Sequence, residues 1–286
     1  MRCQCVTSVP VRTPIGRNGA QIAVSGFDER YVFRREIQLL RRKIGADTFH
    51  LPGRRNGRIA LGEFKGESQL LRGCGIERVF VATGFQDKQL VECLRQVPDA
   101  PELRFVHNAQ FAKSGSMHSL YLLQGPIQEE FLLLESDLLY EQRALETLLT
   151  KGSPDTVLIS GFTQSQDEVW VHGTAANSLG ESVATGRIRW ISKQPNPEFT
   201  IQGELVGITW LALETFHAMC AHHGSKLTFP CSNHYEETLS ALCEEREIAY
   251  LRVADLLWTE IDNANHYERA VQTVHPRIVN ADQRKS

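Results

Sequence analysis

Phe131-Leu132-Leu133-Leu134-Glu135-Ser136-Asp137 is the stretch that decides the fold. Four large apolar residues in succession suit a strand covered on both faces, as in a parallel sheet packed between helices. The run then turns abruptly acidic at the carboxyl end of the strand, the edge where open α/β sheets hold their ligands. A carboxylate there suits a hard cation such as Mg²⁺, which takes oxygen donors and keeps few protein ligands. The same placement also suits a helix cap or a solvated turn.

Outward from this strand, short apolar runs alternate with amphipathic segments. Residues 78–84 read as a buried strand stopped by a glycine, 87–95 as a helix with Leu90, Val91 and Leu94 on one face, and 103–106 as the next strand. The small-residue loop Ser114-Gly115-Ser116 precedes a helix at 119–123. Further strands are expected at 156–160, 169–171, 188–191, 205–211, 249–252 and 258–261, and helices at 142–149, 211–222, 235–246 and 265–271. Such βα alternation predicts an α/β fold, doubly wound and Rossmann-like, with a mostly parallel mixed sheet. Before Cys74 only 36–43 reads as a helix, because prolines and glycines interrupt the rest.

The 286 residues are 42% hydrophobic and 23% charged, with a mean hydropathy of −0.27, which excludes a disordered or fibrous chain. No apolar run approaches the ~18 residues of a membrane helix. Met1-Arg2-Cys3-Gln4-Cys5 is not followed by a secretory apolar region, so a cytoplasmic protein is expected, with neither membrane nor nucleic acid as partner. The seven cysteines contain no C-x-x-C pair and no second cluster to complete a zinc site, which favours reduced thiols. His222 and His223 lie about 100° apart on a helix, a poor metal pair, and read as surface residues at a helix end.

The net charge of −3 conceals an asymmetry: up to Arg72 there are 14 Lys plus Arg against 6 Asp plus Glu, and beyond it 17 against 28. An arginine-rich segment can attract phosphates. Its lack of periodicity fits a solvated basic stretch equally well.

A second acidic run, Trp258-Thr259-Glu260-Ile261-Asp262, places Trp258, Glu260 and Asp262 on one face of a strand. Asp262 there could also cap the next helix.

Taken in order, the run from His107-Asn108-Ala109-Gln110-Phe111 through Ser114-Gly115-Ser116-Met117-His118-Ser119-Leu120, then Phe131 to Asp137, Gly203-Glu204-Leu205-Val206-Gly207-Ile208, Trp258 to Asp262, and Asn265-His266-Tyr267-Glu268-Arg269-Ala270 resemble the sugar-phosphate nucleotidyltransferase superfamily. Within it the similarity is to the cytidylyltransferases that activate phosphocholine or 2-aminoethylphosphonate, and it covers residues 69–274. The resemblance implies a Rossmann-like nucleotidyltransferase fold and an enzyme that transfers CMP from CTP to a small phosphonate or phosphate monoester, releasing pyrophosphate.

It also implies roles. Asp137 and Asp262 would hold Mg²⁺, and Lys193 would lie near the phosphoryl groups. Thr83, Gly84, Ser116 and Ser119 would approach the nucleotide. Glu204, Tyr235, Glu236, Trp258 and Glu260 would surround an amine on the acceptor, which calls for acids or aromatic faces. Without the family, Ser116 and Ser119 only start a helix, Thr83-Gly84 ends a strand, Lys193 is a solvated strand-end lysine, Trp258 is core, and Tyr235 and Glu236 open a helix. A sugar-1-phosphate nucleotidyltransferase using another NTP and a nucleotide-binding homologue without turnover are the alternatives; the oligomeric state stays open.

One part of the family pattern is missing. Relatives open with a strand leading into a G-x-G-x-R loop and then a Pro-Lys pair, whose amides and cations cradle a triphosphate. Here Glu63-Phe64-Lys65-Gly66-Glu67-Ser68 resembles the segment after that pair, but Arg58-Ile59 stand where Pro and Lys belong. No apolar strand precedes Gly53-Arg54-Arg55-Asn56-Gly57-Arg58. Phosphate contacts from Arg54, Arg55 and Arg58, loss of turnover, and an altered reading frame are three accounts of this segment. The chain accordingly divides into a basic segment at 1–62, a nucleotidyltransferase domain at 63–275 and a polar tail at 276–286.

Overall fold

Apolar runs buried on both sides form the middle of a large mixed sheet in the computed structural model, which describes residues 4–7, 22–25, 71–97, 99–163 and 168–284. One arm holds β3 (Arg78–Thr83), β4 (Glu102–His107) and β5 (Phe131–Glu135). β3 and β4 pair in parallel over their whole length. Two short strands, β1 (Gln4–Thr7) and β2 (Ile22–Ser25), fall in the interval between β3 and β5, β2 parallel to both and β1 antiparallel. The residues before Cys74 thus contribute strands that their composition did not reveal, because four-residue strands carry no readable period. The helix expected at 36–43, Arg54, Arg55, Arg58 and residues 63–68 lie outside the described residues.

The second arm departs from a doubly wound sheet. β7 (Thr156–Ser160) and β12 (Ala249–Val253) are parallel, but β11 (Ile201–Leu211) runs against both β5 and β7. β8 (Trp170–Gly173), β9 (Asn177–Gly180) and β10 (Val183–Ser192) form an antiparallel ribbon, in which β10 pairs with β12 and β8 pairs back onto β11. The pairings β11-β7-β12-β10-β8-β11 therefore close a ring, and the sheet is partly closed rather than mostly parallel. The reason is the connection: between β7 and β11 the described residues contain no helix, and strands joined without a crossover run antiparallel.

Two clusters of apolar side chains cover the two faces. Val79, Val81, Leu132, Leu134 and Ile208 pack on one side with α1 (Asp87–Arg95) and α3 (Arg143–Lys151). Phe80, Ala82, Phe131, Leu133 and Leu211 pack on the other with α2 (Ser116–Tyr121), α4 (Leu213–Ser225) and α5 (Tyr235–Leu242). Alternate residues of β3 and β5 thus go to opposite clusters, which is why those runs are apolar throughout.

Two expectations fail here. His223 is not a surface residue: Phe216, Met219, Cys220 and His223 share the buried face of α4 at i, i+3, i+4 and i+7, and His223 is 3% exposed. The residues beyond 275 are not a polar tail either. α6 (Ala264–Arg269) continues through a π turn at Ala270–Val274 into α7 (His275–Gln283), anchored by the buried Ile278 and by Asp282 Oδ1, which accepts from the Gln142 amide at 3.2 Å. No described helix is long and apolar enough to cross a membrane.

Candidate active site

The carboxyl end of β5 delivers Glu135, Ser136 and Asp137, and the chain turns at once into β6 (Leu138–Tyr140). β6 pairs antiparallel with β13 (Trp258–Glu260), Glu260 opposite Leu138. One step further the Ile261 amide donates to the Asp137 carbonyl at 2.9 Å. This two-stranded ladder makes the two acidic runs neighbours, with Asp137 and Asp262 both half-buried. The capping alternative for Asp262 falls away: the cap of α6 is Asn263, whose Oδ1 accepts from the amides of Asn265 and His266. Asp262 Oδ2 instead faces His266 Nδ1 at 3.3 Å. Carboxylate oxygens at a sheet edge, with Asp262 not engaged as a cap, fit a hard divalent cation.

Below this pair, Tyr235 donates its hydroxyl to Glu135 Oε1 at 2.9 Å, and both side chains are buried. Burial, reinforced by the Glu135 charge, holds the Tyr235 phenol well above its ordinary range, so it stays a proton donor. Gly207 makes room for this contact: it sits at φ +86°, and a Cβ there would come 2.9 Å from Glu135 Cδ. Tyr235 is therefore a strut between α5 and β5 and cannot line an acceptor pocket. Trp258 is core in the same sense, donating Nε1–H to Ser160 Oγ at 2.8 Å. Glu236, on the first turn of α5, is buried, and Glu260 is half-buried.

A row of paired residues crosses the sheet at the same edge, with Glu204 of β11 opposite both Ser160 and Trp170, and Trp170 opposite Ser192. Lys193, exposed, follows directly at the end of β10. Glu204 does not point both oxygens at a ligand: Oε2 accepts from the Thr163 amide at 2.7 Å and Oε1 from its hydroxyl at 2.9 Å. Burial raises the Glu204 carboxyl and the Thr163 bonds oppose that rise. Arg269, near enough for its charge to act on Glu204, donates to Thr259 Oγ1 at 2.6 Å.

The small-residue loop is organised by Asn108. Its Nδ2 donates to Ser114 Oγ and Ser119 Oγ, each at 3.0 Å, and its Oδ1 accepts from the Gln110 amide. Ser116 is 3% exposed, and its hydroxyl accepts from the Tyr235 amide, so it is turned toward α5 rather than toward a nucleotide. Thr83 is buried at the end of β3, where its carbonyl accepts from the Asn108 amide at 2.7 Å. A Cβ on Gly84 would stand 2.6 Å from Phe111 Cβ, so the loop needs glycine there.

The structure thus gathers Thr83, Gly84, Ser119, Asp137, Glu204, Glu260 and Asp262 around strand ends at one edge, and gives Ser116, Tyr235 and Trp258 to the packing beneath. Four residues had no assigned role in the sequence: Asn108, Glu135, Arg269, and Phe162, whose ring is 58% exposed and meets Trp170 edge-on at 5.3 Å. A polar residue just after an apolar strand was the readable signal for Asn108 and Glu135. Nothing local marked Phe162.

No family model matches the chain. Among solved structures, the inositol-1-phosphate CTP transferase from T. maritima superposes on 83% of this chain and 90% of its own, with a TM-score of 0.59 at 16% identity. UDP-glucose pyrophosphorylase complexed with UDP-glucose covers 77% and 86%, with a TM-score of 0.55 at 14% identity. The UTP-bound UGPase from Acinetobacter baumannii covers 78% and 86%, with a TM-score of 0.53 at 12% identity. The chain shares the mixed α/β fold of these structures, with a sheet that is partly closed rather than doubly wound as expected.

Proposed function

We propose that this chain, built on the fold of the nucleotidyltransferases, transfers CMP from CTP to a small phosphonate or phosphate monoester, 2-aminoethylphosphonate or phosphocholine, with release of pyrophosphate. The observation that supports the reading is the β6–β13 ladder, which brings the run ending at Asp262 alongside the turn that carries Asp137 at the carboxyl end of β5. The similarity to a CTP transferase supports the choice of nucleotide.

The reaction is a displacement at phosphorus. An acceptor oxygen bonds to the α-phosphorus of CTP while the bond from that phosphorus to the pyrophosphate oxygen breaks, its electron pair leaving with pyrophosphate. Both reactants are anionic, so the protein's task is to hold them in line and offset charge. Asp137 and Asp262 would hold Mg²⁺, which when bound neutralises phosphoryl oxygens. Arg269 and Lys193 add cationic charge along the same edge. The loop pinned by Asn108 brings Ser119 and the backbone beside Gly84 to the nucleotide. Glu260 and Glu236 supply negative charge for the acceptor's amine, and the Phe162–Trp170 pair offers an aromatic face. Glu204 acts through Thr163, as a positioning residue.

A second reading, transfer to a sugar 1-phosphate from another NTP, draws support from the UDP-glucose held by one of the similar structures. Pyrophosphate release measured with CTP, UTP, GTP and dTTP, each paired with 2-aminoethylphosphonate, phosphocholine and hexose 1-phosphates, separates the two. Preference for CTP with an amine-bearing acceptor upholds the first reading; preference for another NTP with a hexose phosphate upholds the second. No release with any pair overturns both.

A further inference from the structure

Three side chains that the transfer reaction does not use converge behind the small-residue loop. His118, on α2, and His223, in the last turn of α4, are 5% and 3% exposed, and His118 Nδ1 lies 3.2 Å from His223 Nε2. Cys231, in the segment between α4 and α5, brings its thiol to the same point, and the three ligand atoms all lie within 4.8 Å of one another. The Asn233 side-chain amide lies 3.2 Å from His223 Nδ1, and with its oxygen turned to the ring it accepts the Nδ1 proton and leaves the Nε2 lone pair facing His118. Phe229 and Tyr121 cover the His118 ring. A cavity of about 370 Å³, lined by His223, Pro230, Cys231, Asn233 and Thr238, opens onto the cluster.

We propose that His118, His223 and Cys231 form a Zn²⁺ site, distinct from the Asp137–Asp262 pair, which fastens the segment between α4 and α5 to α2 and α4. A tetrahedral zinc with Zn–N bonds of about 2.0–2.1 Å sets its two ring nitrogens about 3.3 Å apart, close to the separation already present between the histidines. His223 binds the ion through Nε2 as a neutral ring, its proton held on Nδ1 and donated to the Asn233 side-chain oxygen; the ion displaces only the thiol proton of Cys231, which passes to solvent. The nitrogen and thiolate donors select a borderline ion such as zinc over Mg²⁺. Burial favours the neutral rings a metal requires, since it holds both histidines below their ordinary value. It also raises the Cys231 thiol, an effect the amides of Gly115 and Cys231 oppose.

The segment so fastened is the one that straps the loop near the acids. The Gly115 amide donates to the Cys231 carbonyl at 2.7 Å, the Cys231 amide to the Lys113 carbonyl at 2.8 Å, and a Cβ on Gly115 would run into the carbonyl oxygens of Ser232 and Asn233. Zinc would thus hold the far side of the same wall that carries Ser119.

The test uses the full chain, stripped with chelator and titrated with Zn²⁺ or Co²⁺ in excess Mg²⁺, with bound metal counted after equilibrium dialysis. The parent is expected to bind one equivalent of zinc, to gain melting temperature with it, and to give with Co²⁺ a tetrahedral visible spectrum and a thiolate-to-metal charge-transfer band. Cys231→Ser, which leaves the hydrogen-bonded histidine pair in place, should lose that band and bind zinc at least ~10-fold more weakly. His223→Gln should lose binding, while Asp137→Asn and Asp262→Asn should keep it. Absence of zinc binding by the parent, an unchanged stoichiometry and affinity in Cys231→Ser, or loss of the bound zinc in Asp137→Asn overturns the proposal.

Discussion

The Ile261 amide donates to the Asp137 carbonyl across 2.9 Å, and this single backbone bond extends the β6–β13 ladder to Asp137 itself and to the residue before Asp262. Replacing Ile261 by proline removes the donor, worth about 1 kcal/mol as a hydrogen bond, and bars the ladder from continuing. Ile261→Pro is expected to raise the Mg²⁺ concentration needed for half-maximal pyrophosphate release, whereas Ile261→Val should leave it unchanged. Metal titrations of turnover, with thermal unfolding as a control, read both.

The Asn108 side chain ties Ser114, Ser119 and Gln110 together. Asn108→Ala leaves the buried Ser114 hydroxyl and the half-buried Ser119 hydroxyl without their donor and should cost about 1–3 kcal/mol of stability. On the proposed function, in which this loop meets the nucleotide, KM for CTP should rise more than kcat falls. Asn108→Asp, which keeps the acceptor for Gln110 but not the two donors, should behave like Asn108→Ala in initial-rate measurements.

Gly84 and Phe111 are in such close contact that Gly84→Ala must push the Phe111 Cβ aside. The expected cost is about 1–3 kcal/mol. Phe111→Gly, which removes the Cβ that stands in the way, should relieve much of it, giving a favourable coupling of about 1 kcal/mol or more in a double-mutant cycle by denaturant unfolding. Strict additivity would show that the two do not meet.

His172, fully buried in β8, accepts the Asn196 amide on Nε2 at 3.1 Å, and burial holds its pKa below the ordinary 6.5. The unfolded chain therefore binds this proton first as pH falls. Stability from this site should be flat above pH 6.5 and decline from there down through the lowered folded-state value. His172→Asn should flatten that decline in melting temperatures recorded between about pH 5 and 8.

How far the sequence could be read depends on how each element is buried. β3 and β5 are covered on both faces, so their apolar runs announce them. β9 is exposed at all four residues and exists only as the partner of β10, so no hydrophobic period marks it. The direction of β11 is invisible in an apolar run, because burial on both faces looks the same in parallel and antiparallel strands; only the closing ribbon fixes it. At the candidate site, Asp137 and Asp262 stood out by the order of the motifs, while the pairing of the two acidic runs came from a three-residue ladder too short to read. Ser116, Tyr235 and Trp258 stood in the right motifs but face inward, where their polar atoms serve α5, Glu135 and Ser160. His223 was legible after all, since the i, i+3, i+4, i+7 spacing from Phe216 puts it on the buried face.

Two single substitutions that conserve shape, Asp137→Asn and Asp262→Asn, address the carboxylate pair directly. With CTP, 2-aminoethylphosphonate or phosphocholine, and saturating Mg²⁺, each should lower pyrophosphate release by about a hundredfold or more while melting like the parent. Turnover at the parental rate by either variant would contradict a shared role for the two carboxylates in nucleotidyl transfer.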